Sequence, residues 1–198
     1  MPILYPSDGS DSILADMLDQ EWGDVLLDLP RNAANTLEDA QRSFEKGRTF
    51  AVFYPTLHDL AEGVLVTEQT AKAWRCLLVQ NGHVLAQLEA ERNGRPKAIH
   101  IGQAKDAIRQ AIATAETVEG RYRIDAVEVP AIKLCALRLS EVDNGGTAKA
   151  PAFLIAYEPD ATGLPFYTTK RIEEAMTLLR LRAQEVLRLS EEDPLSGG

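Results

Sequence analysis

The residues that could do nucleophilic chemistry are Cys76 and His100, because a catalytic thiol needs a base beside it. The register predicted below places Cys76 opposite Gln87 and Gln87 opposite His100, all on one face of a sheet. Two strand spacings of about 4.8 Å would then separate the two backbones. A nucleophile and its base must meet within about 3 Å. We therefore favour a thiol and a histidine that only line the face, and we predict no catalytic residue.

A second candidate is a metal site at His58, Asp59 and Glu62. His58 and Glu62 would lie one helical turn apart and could share a metal ion if a further ligand arrived from elsewhere, with His83 the remaining histidine. A solvated loop is the favoured interpretation. The sequence holds no Gly-rich phosphate loop, Cys-x-x-Cys, His-Glu-x-x-His or Gly-x-Ser-x-Gly motif. We predict no metal and no cofactor.

The third candidate is that sheet face itself. It combines apolar and polar side chains and would be too apolar for solvent and too polar for an ordinary core. We expect cover from the same chain, with a partner or a ligand as the alternative. The predicted pocket or partner surface consists of Trp74, Cys76, Gln87, Glu89 and His100.

Two Asn-Gly pairs predict the strands that position these residues. Asn-Gly between alternating apolar segments is the strongest short-range sign of a hairpin. Turns at Asn81-Gly82 and Asn93-Gly94 predict a three-stranded meander. The predicted opposite pairs are Val79 with Val84, Leu77 with Ala86, Arg75 with Leu88, Leu88 with Ile99, and Ala86 with Ile101.

An amphipathic helix should follow the meander and cover its apolar face. Gly102 and Gly120 stand where its N-terminal and C-terminal caps would be. Apolar residues recur at the spacing of one helical face, and they are Ala104, Ala107, Ile108, Ala111, Ile112, Ala115 and Val118.

The rest of the chain predicts an α+β fold with a mostly antiparallel sheet. Helices are expected at 35–46, 58–62 and 170–189, and strands at 48–54, 122–129, 131–139 and 152–157. Residues 1–34 form an acidic, apolar N-terminal arm, 35–190 a single domain, and 191–198 an acidic flexible tail. We expect the arm to pack on its own domain, with docking onto a second copy or another protein as the alternative.

The charge of the chain is concentrated at its ends. The 198 residues carry a net charge of −9, but residues 1–30 hold seven acidic side chains and no Lys or Arg. The part of the chain between the two acidic ends is nearly neutral. This argues against nucleic acid as a partner, because phosphate contacts need clustered Lys and Arg. No apolar run is long enough for a membrane span. We expect a cytoplasmic protein in which Cys76 and Cys135 are free thiols.

The final helix predicts how the protein assembles. One side carries Ile172, Leu179 and similar residues, which suffices to dock the helix on its own sheet. Leu178, Leu181 and Leu189 lie near the opposite side, at about 180° to 260° from Ile172. A stripe of three exposed leucines favours a homodimer through this helix, with cover by the arm or by helix 35–46 as the alternative.

The order of elements over residues 35–190, together with the acidity, is similar to that of the acidic type III secretion chaperones. That resemblance implies a dimer that binds extended segments of client proteins. We therefore expect a non-enzymatic interaction module, adaptor or chaperone-like protein that acts as a homodimer. The alternative is a small-molecule-binding sensor or enzyme with a pocket between the mixed sheet face and the N-terminal arm.

Overall fold

A computed structural model describes residues 45–65, 71–80, 83–93, 95–100, 103–143, 147–157 and 163–192. The predicted N-terminal arm, the Asn81-Gly82 turn and the acidic tail from residue 193 onward lie outside these residues. The α+β class with a mostly antiparallel sheet is confirmed. The predicted single domain over 35–190 stays a prediction.

The strands occur in two groups along the chain, with short helices between them. The strands are β1 (Glu45–Phe53), β2 (Ala71–Gln80), β3 (His83–Glu91), β4 (Pro96–His100), β5 (Tyr122–Val129), β6 (Leu134–Val142), β7 (Ala148–Ala156) and β8 (Lys170–Arg171). The helices are α1 (Leu57–Ala61), α2 (Gln103–Glu116) and α3 (Ile172–Glu192), with a 3-10 turn at Pro130–Ile132. The predicted end of the helix over residues 35–46 is wrong, since Glu45 already belongs to β1.

The strands that the structure describes hydrogen-bond in the order β4-β3-β2-β1-β5-β6-β7-β8. Strand β1 pairs parallel with β5, with Val52 opposite Ala126. The hairpins on either side pair antiparallel. Contacts along the chain group its described residues into two compact units: the first consists of 52–65, 71, 110–143, 147–157 and 163–192, and the second of 45–51, 72–80, 83–93, 95–100 and 103–109.

In the second unit, a bulge in β3 changes the predicted register. Val79 lies opposite Val84 and Leu88 lies opposite Ile99, as predicted. The register shifts by one residue between Leu78 and Val79. The predicted pairs of Leu77 with Ala86 and Arg75 with Leu88 are therefore wrong, because Leu77 lies opposite Gln87 and Arg75 opposite Glu89. A shift of one residue sends every following side chain to the other face.

The bulge sorts the second unit into two faces of different character. We call one the apolar face, whose residues are Trp74, Cys76, Leu78, Ala86, Leu88, Ala90 and Ile99. We call the other the charged face, whose residues are Arg75, Leu77, Gln87, Glu89, Lys97 and His100. The charged residues thus lie together because of one extra residue, Leu85, in β3.

In the first unit, β5 and β6 form a hairpin that is buried on both faces. The predicted break at Pro130 is a turn of 3-10 helix, and β6 begins at Leu134 rather than at Ala131. Lys133 closes the turn in the left-handed conformation, at φ 54°. This turn places Val129 opposite Leu134 and so fixes the pairing of the whole hairpin.

Tyr122 anchors the start of β5. Its ring packs edge-on against Phe153, with 5.9 Å between centroids, and its hydroxyl donates to the Glu119 carbonyl oxygen at 3.1 Å. Gly120, at φ 131°, leaves room for this ring, since a Cβ there would come within 2.8 Å of it. Burial, with a smaller contribution from the Glu141 carboxylate, raises the pKa of Tyr122.

Two helices of the first unit pack on each other. Helix α1 begins with a capping box in which Thr56 and Asp59 satisfy each other's backbone N–H groups, and it buries Leu60 completely. Helix α3 contacts α1 and buries Ala175, Leu179 and Ala183. Within the described residues, no helix is both long and apolar enough to cross a membrane.

Helix α2 keeps the face that its sequence predicts. Ile108, Ala111, Ile112 and Ala115 are buried, whereas Asp106 and Arg109 are exposed. The three-to-four-residue spacing of the buried residues is that of a single helical stripe.

Leu88→Asp should prevent stable folding. Leu88 is fully buried between Cys76 and Ile99, so the carboxylate would be buried without a partner, at a cost of several kcal/mol. The matched control is Lys72→Asp, which introduces the same residue at an exposed position of β2. Urea denaturation of both variants measures the difference, and a Leu88→Asp protein of near-normal stability would contradict the assigned face.

Lys133 should respond in opposite ways to two substitutions. Lys133→Val should lose about 1–2 kcal/mol, because a β-branched residue fits poorly at positive φ. Lys133→Gly should match or modestly exceed the wild type, since glycine adopts this conformation without steric cost. Thermal unfolding of the three proteins gives the ranking, and equal stability of the valine and glycine variants would contradict the turn.

Candidate functional site

The most concentrated polar site of the second unit surrounds Glu89. Its carboxylate is almost completely buried. Oε2 accepts from Nη2 of the equally buried Arg75 and lies 3.3 Å from Nε2 of His100. Oε1 accepts from Nζ of Lys97 at 2.5 Å. We call these four residues the Glu89 cluster.

Three strands contribute to the Glu89 cluster. The β3 bulge places Arg75 directly opposite Glu89, and Ala98 of β4 lies on the other side of Glu89. A second register shift, between Glu89 and Ala90, lies beside Lys97 in β4. Bulges are common where a strand must redirect a side chain. Local irregularity in two strands therefore assembles the cluster.

The chemistry of the cluster is that of a neutralised buried anion. Burying a carboxylate is costly unless charged partners and hydrogen bonds compensate for the lost water. Both oxygens of Glu89 already accept from cationic groups, so the carboxylate is held as an ion pair and is poorly placed to act as a base. Arg75 is buried, whereas Lys97 and His100 are partly exposed. The cluster carries excess positive charge towards solvent.

The structure separates the residues of the predicted mixed face. Trp74 and Cys76 lie on the apolar face, where both are buried, whereas Gln87, Glu89 and His100 lie on the charged face. The prediction that these five residues share one face is wrong, because it did not include the bulge in β3. Whether either face binds a partner or a ligand stays a prediction.

The Cys76–His100 pair is excluded by the same geometry. Cys76 lies opposite Leu88, and its Sγ is 3.5 Å from the carbonyl oxygen of Leu77. His100 lies opposite Gln87, which points to the other face. Within the described residues neither Cys76 nor Cys135 forms a disulfide; Cys76 is buried and Cys135 is half-buried.

One of the candidate metal ligands near His58 has a structural role. Asp59 Oδ2 accepts from the backbone N–H and the hydroxyl of Thr56, both at 2.8 Å, and so caps helix α1. Over the part of the chain that the structure describes, no three His, Cys, Asp or Glu side chains are grouped to hold a metal ion.

The first unit contains a second buried carboxylate, which sequence reasoning missed. Asp125 of β5 lies opposite Arg138 of β6, and Nη2 of Arg138 donates to Asp125 Oδ2 at 2.5 Å. Arg123 donates to the same oxygen at 3.2 Å, and the Arg138 guanidinium stacks 4.5 Å above the Phe53 ring. Within the described residues, Asp125 Oδ1 has no hydrogen-bond partner. The Asp125 carboxylate is therefore less completely satisfied than that of Glu89, both of whose oxygens accept hydrogen bonds.

The predicted leucine stripe is present on α3. Leu178, Leu181 and Leu189 are 36%, 61% and 47% exposed, respectively. Phe166 is the only other large apolar side chain that is exposed within the described part of the chain. Three of four such residues thus lie on one side of one helix.

Comparison of the chain with protein-family models, with curated proteins and with solved structures finds no match.

Glu89→Gln should destabilise the protein by about 3–5 kcal/mol. The substitution keeps the shape of the side chain but leaves the buried Arg75 guanidinium without its counter-charge. The matched control is Asp106→Asn, which removes a carboxylate whose partner Arg109 is exposed and 3.9 Å away, and which should cost less than about 0.5 kcal/mol. Chemical denaturation measures both, and equal losses would contradict a structural role for the Glu89 cluster.

Proposed function

We propose that this protein is a non-enzymatic interaction module, of the adaptor or chaperone-like kind, that works as a homodimer through α3. The observation that carries the proposal is the exposed stripe of Leu178, Leu181 and Leu189. At about 100° per residue, these leucines span only about 80° of the helix surface. We call this surface the leucine stripe.

The leucine stripe is additional to the contacts that hold α3 in its own unit. Ala175, Leu179 and Ala183 are buried and lie on the other side of the helix, next to α1 and β7. A helix needs one apolar face to dock on its own domain. A second apolar stripe on the same helix favours a contact with another molecule, because scattered exposed leucines are common but aligned ones are not.

The buried polar groups support a role other than catalysis. The carboxylates of Glu89 and Asp125 are paired with arginines inside the sheet, and Cys76 and His100 point to opposite faces. Catalytic acids and bases work best when a proton can move at neutral pH. Carboxylates that already accept hydrogen bonds from buried arginines suit a structural purpose.

The alternative is a small-molecule-binding sensor or enzyme with a pocket under the N-terminal arm. The partly exposed Lys97 and His100 are the groups of the charged face that a ligand could reach. The leucine stripe is the stronger observation, because it needs no residue beyond the described ones.

Leu178→Glu combined with Leu181→Glu should give a folded monomer. Charged residues in the stripe would have to be buried against their own copies, which is unfavourable. The matched control is Thr177→Glu combined with Gln184→Glu, which adds the same charge to exposed positions of α3 outside the stripe. Circular dichroism checks folding and sedimentation velocity checks association.

The wild type and the control should both sediment as dimers, with a dissociation constant in the roughly micromolar range. We expect this modest affinity because three leucines from each chain supply only a small share of the ~800 Å² that each partner buries in a standard interface. A wild-type protein that sediments as a monomer at high micromolar concentration would refute the dimer.

A further inference from the structure

Helix α3 is self-complementary when a second copy lies antiparallel to it. Leu178 and Leu189 lie five and a half positions on either side of the midpoint of the segment 183–184. Arg182 and Glu185 lie one and a half positions on either side of the same midpoint. At 1.5 Å per residue these offsets are about 8 Å and about 2 Å. The apolar pair and the charged pair therefore share one centre.

We infer that two copies of α3 pack antiparallel about a two-fold axis at this midpoint. A two-fold contact brings each residue opposite the one at the same distance on the other side of the axis. Leu178 then meets the partner's Leu189, and Arg182 meets the partner's Glu185. This inference rests on the proposed homodimer and specifies its direction and register.

The charges on the stripe select the antiparallel direction. In a parallel two-fold pair, Arg182 would face its own copy and Glu185 would face its own copy, and like charges would repel. In the antiparallel pair, every Arg182 faces a carboxylate. Within one chain, Nη1 of Arg182 donates to Glu185 Oε2 at 2.6 Å. A guanidinium carries five donors, so it can bind the partner's carboxylate as well.

Leu181 completes the centre of the contact. It lies two and a half positions from the midpoint, so the two copies of Leu181 would lie about 8 Å apart along the helices. It is also the most exposed of the three leucines, at 61%. The antiparallel pair therefore has apolar contacts at both ends and beside its centre, with the Arg182–Glu185 pairs between them.

Disulfide cross-linking of separately made variants tests the register. In a Cys135→Ser background, which removes the half-buried native thiol and keeps the buried Cys76, one sample carries Leu178→Cys and another carries Leu189→Cys. A disulfide needs Cα atoms within about 7 Å. In the antiparallel pair, two copies of residue 178 would lie about 16 Å apart, whereas residues 178 and 189 of different chains would be opposite each other.

We expect cross-linked dimer only when the two variants are mixed under mild oxidation, with a 178–189 disulfide found by peptide mass mapping. The matched control mixes Thr177→Cys with Ser190→Cys, which are related by the same midpoint but lie off the stripe, and should stay uncross-linked. Unchanged thermal unfolding of the reduced variants shows that each is folded.

The other outcomes separate the inference from the proposal beneath it. Efficient cross-linking of Leu178→Cys with itself would show a parallel pair, which overturns the register and leaves the dimer standing. A wild-type dimer that gives no cross-link in the mixture, or that cross-links equally through the control pair, would place the contact elsewhere and overturn the inference. A monomeric wild type would overturn the proposed function itself.

Discussion

The constraint on which the second unit depends is that a buried carboxylate must meet a cation. Glu89 is almost fully buried, and so is Arg75, which binds it from the neighbouring strand. Either charge alone would destabilise the fold by several kcal/mol, so the two side chains must lie on the same face. An unbroken hairpin from the Asn-Gly turn would place Arg75 opposite Leu88, with its side chain on the apolar face. The bulge at Leu85 of β3, opposite Leu78 and Val79, prevents this, and it makes the strands of the second unit compatible with their charges.

This constraint also explains how far the sequence could predict the fold. Turn chemistry and alternation correctly predicted the α+β class, the apolar stripe of α2 and the pairing of Leu88 with Ile99, because these follow from local periodicity. A bulge has no strong local pattern, and so the faces of β2 were exchanged. The indication that was available is electrostatic: Arg75 stands inside the apolar run of β2, only one position away from the residue that would face Glu89 in the unbulged hairpin. If the predicted register had been required to bring Arg75 beside Glu89, the hairpin with a bulge would have been predicted.

In the first unit, too, the strand register decides which charges meet, although no bulge lies between the paired charges. Once the turn at Pro130–Ile132 and Lys133 is recognised as four residues long, Val129 faces Leu134 and the hairpin register follows without further choice. That register brings Asp125 opposite Arg138. The sequence contained this pair, but the second strand was predicted to start at Ala131, and a wrong start hides every cross-strand partner. In both units, then, the charged sites were missed through register and not through residue type.

The matched charges inside the sheet bear on where this protein can interact. Glu89 and Asp125 bind arginines of their own units, so their charges are used in holding strands in register. The leucine stripe differs, because no such intramolecular match is evident for it: its three leucines are exposed while the opposite side of α3 is buried. Glu185 lies within the stripe and Arg182 beside it, and their charges would complement an antiparallel copy. The proposed homodimer accounts for a surface that is apolar, aligned and complementary to itself, since two-fold symmetry would satisfy all three properties at once.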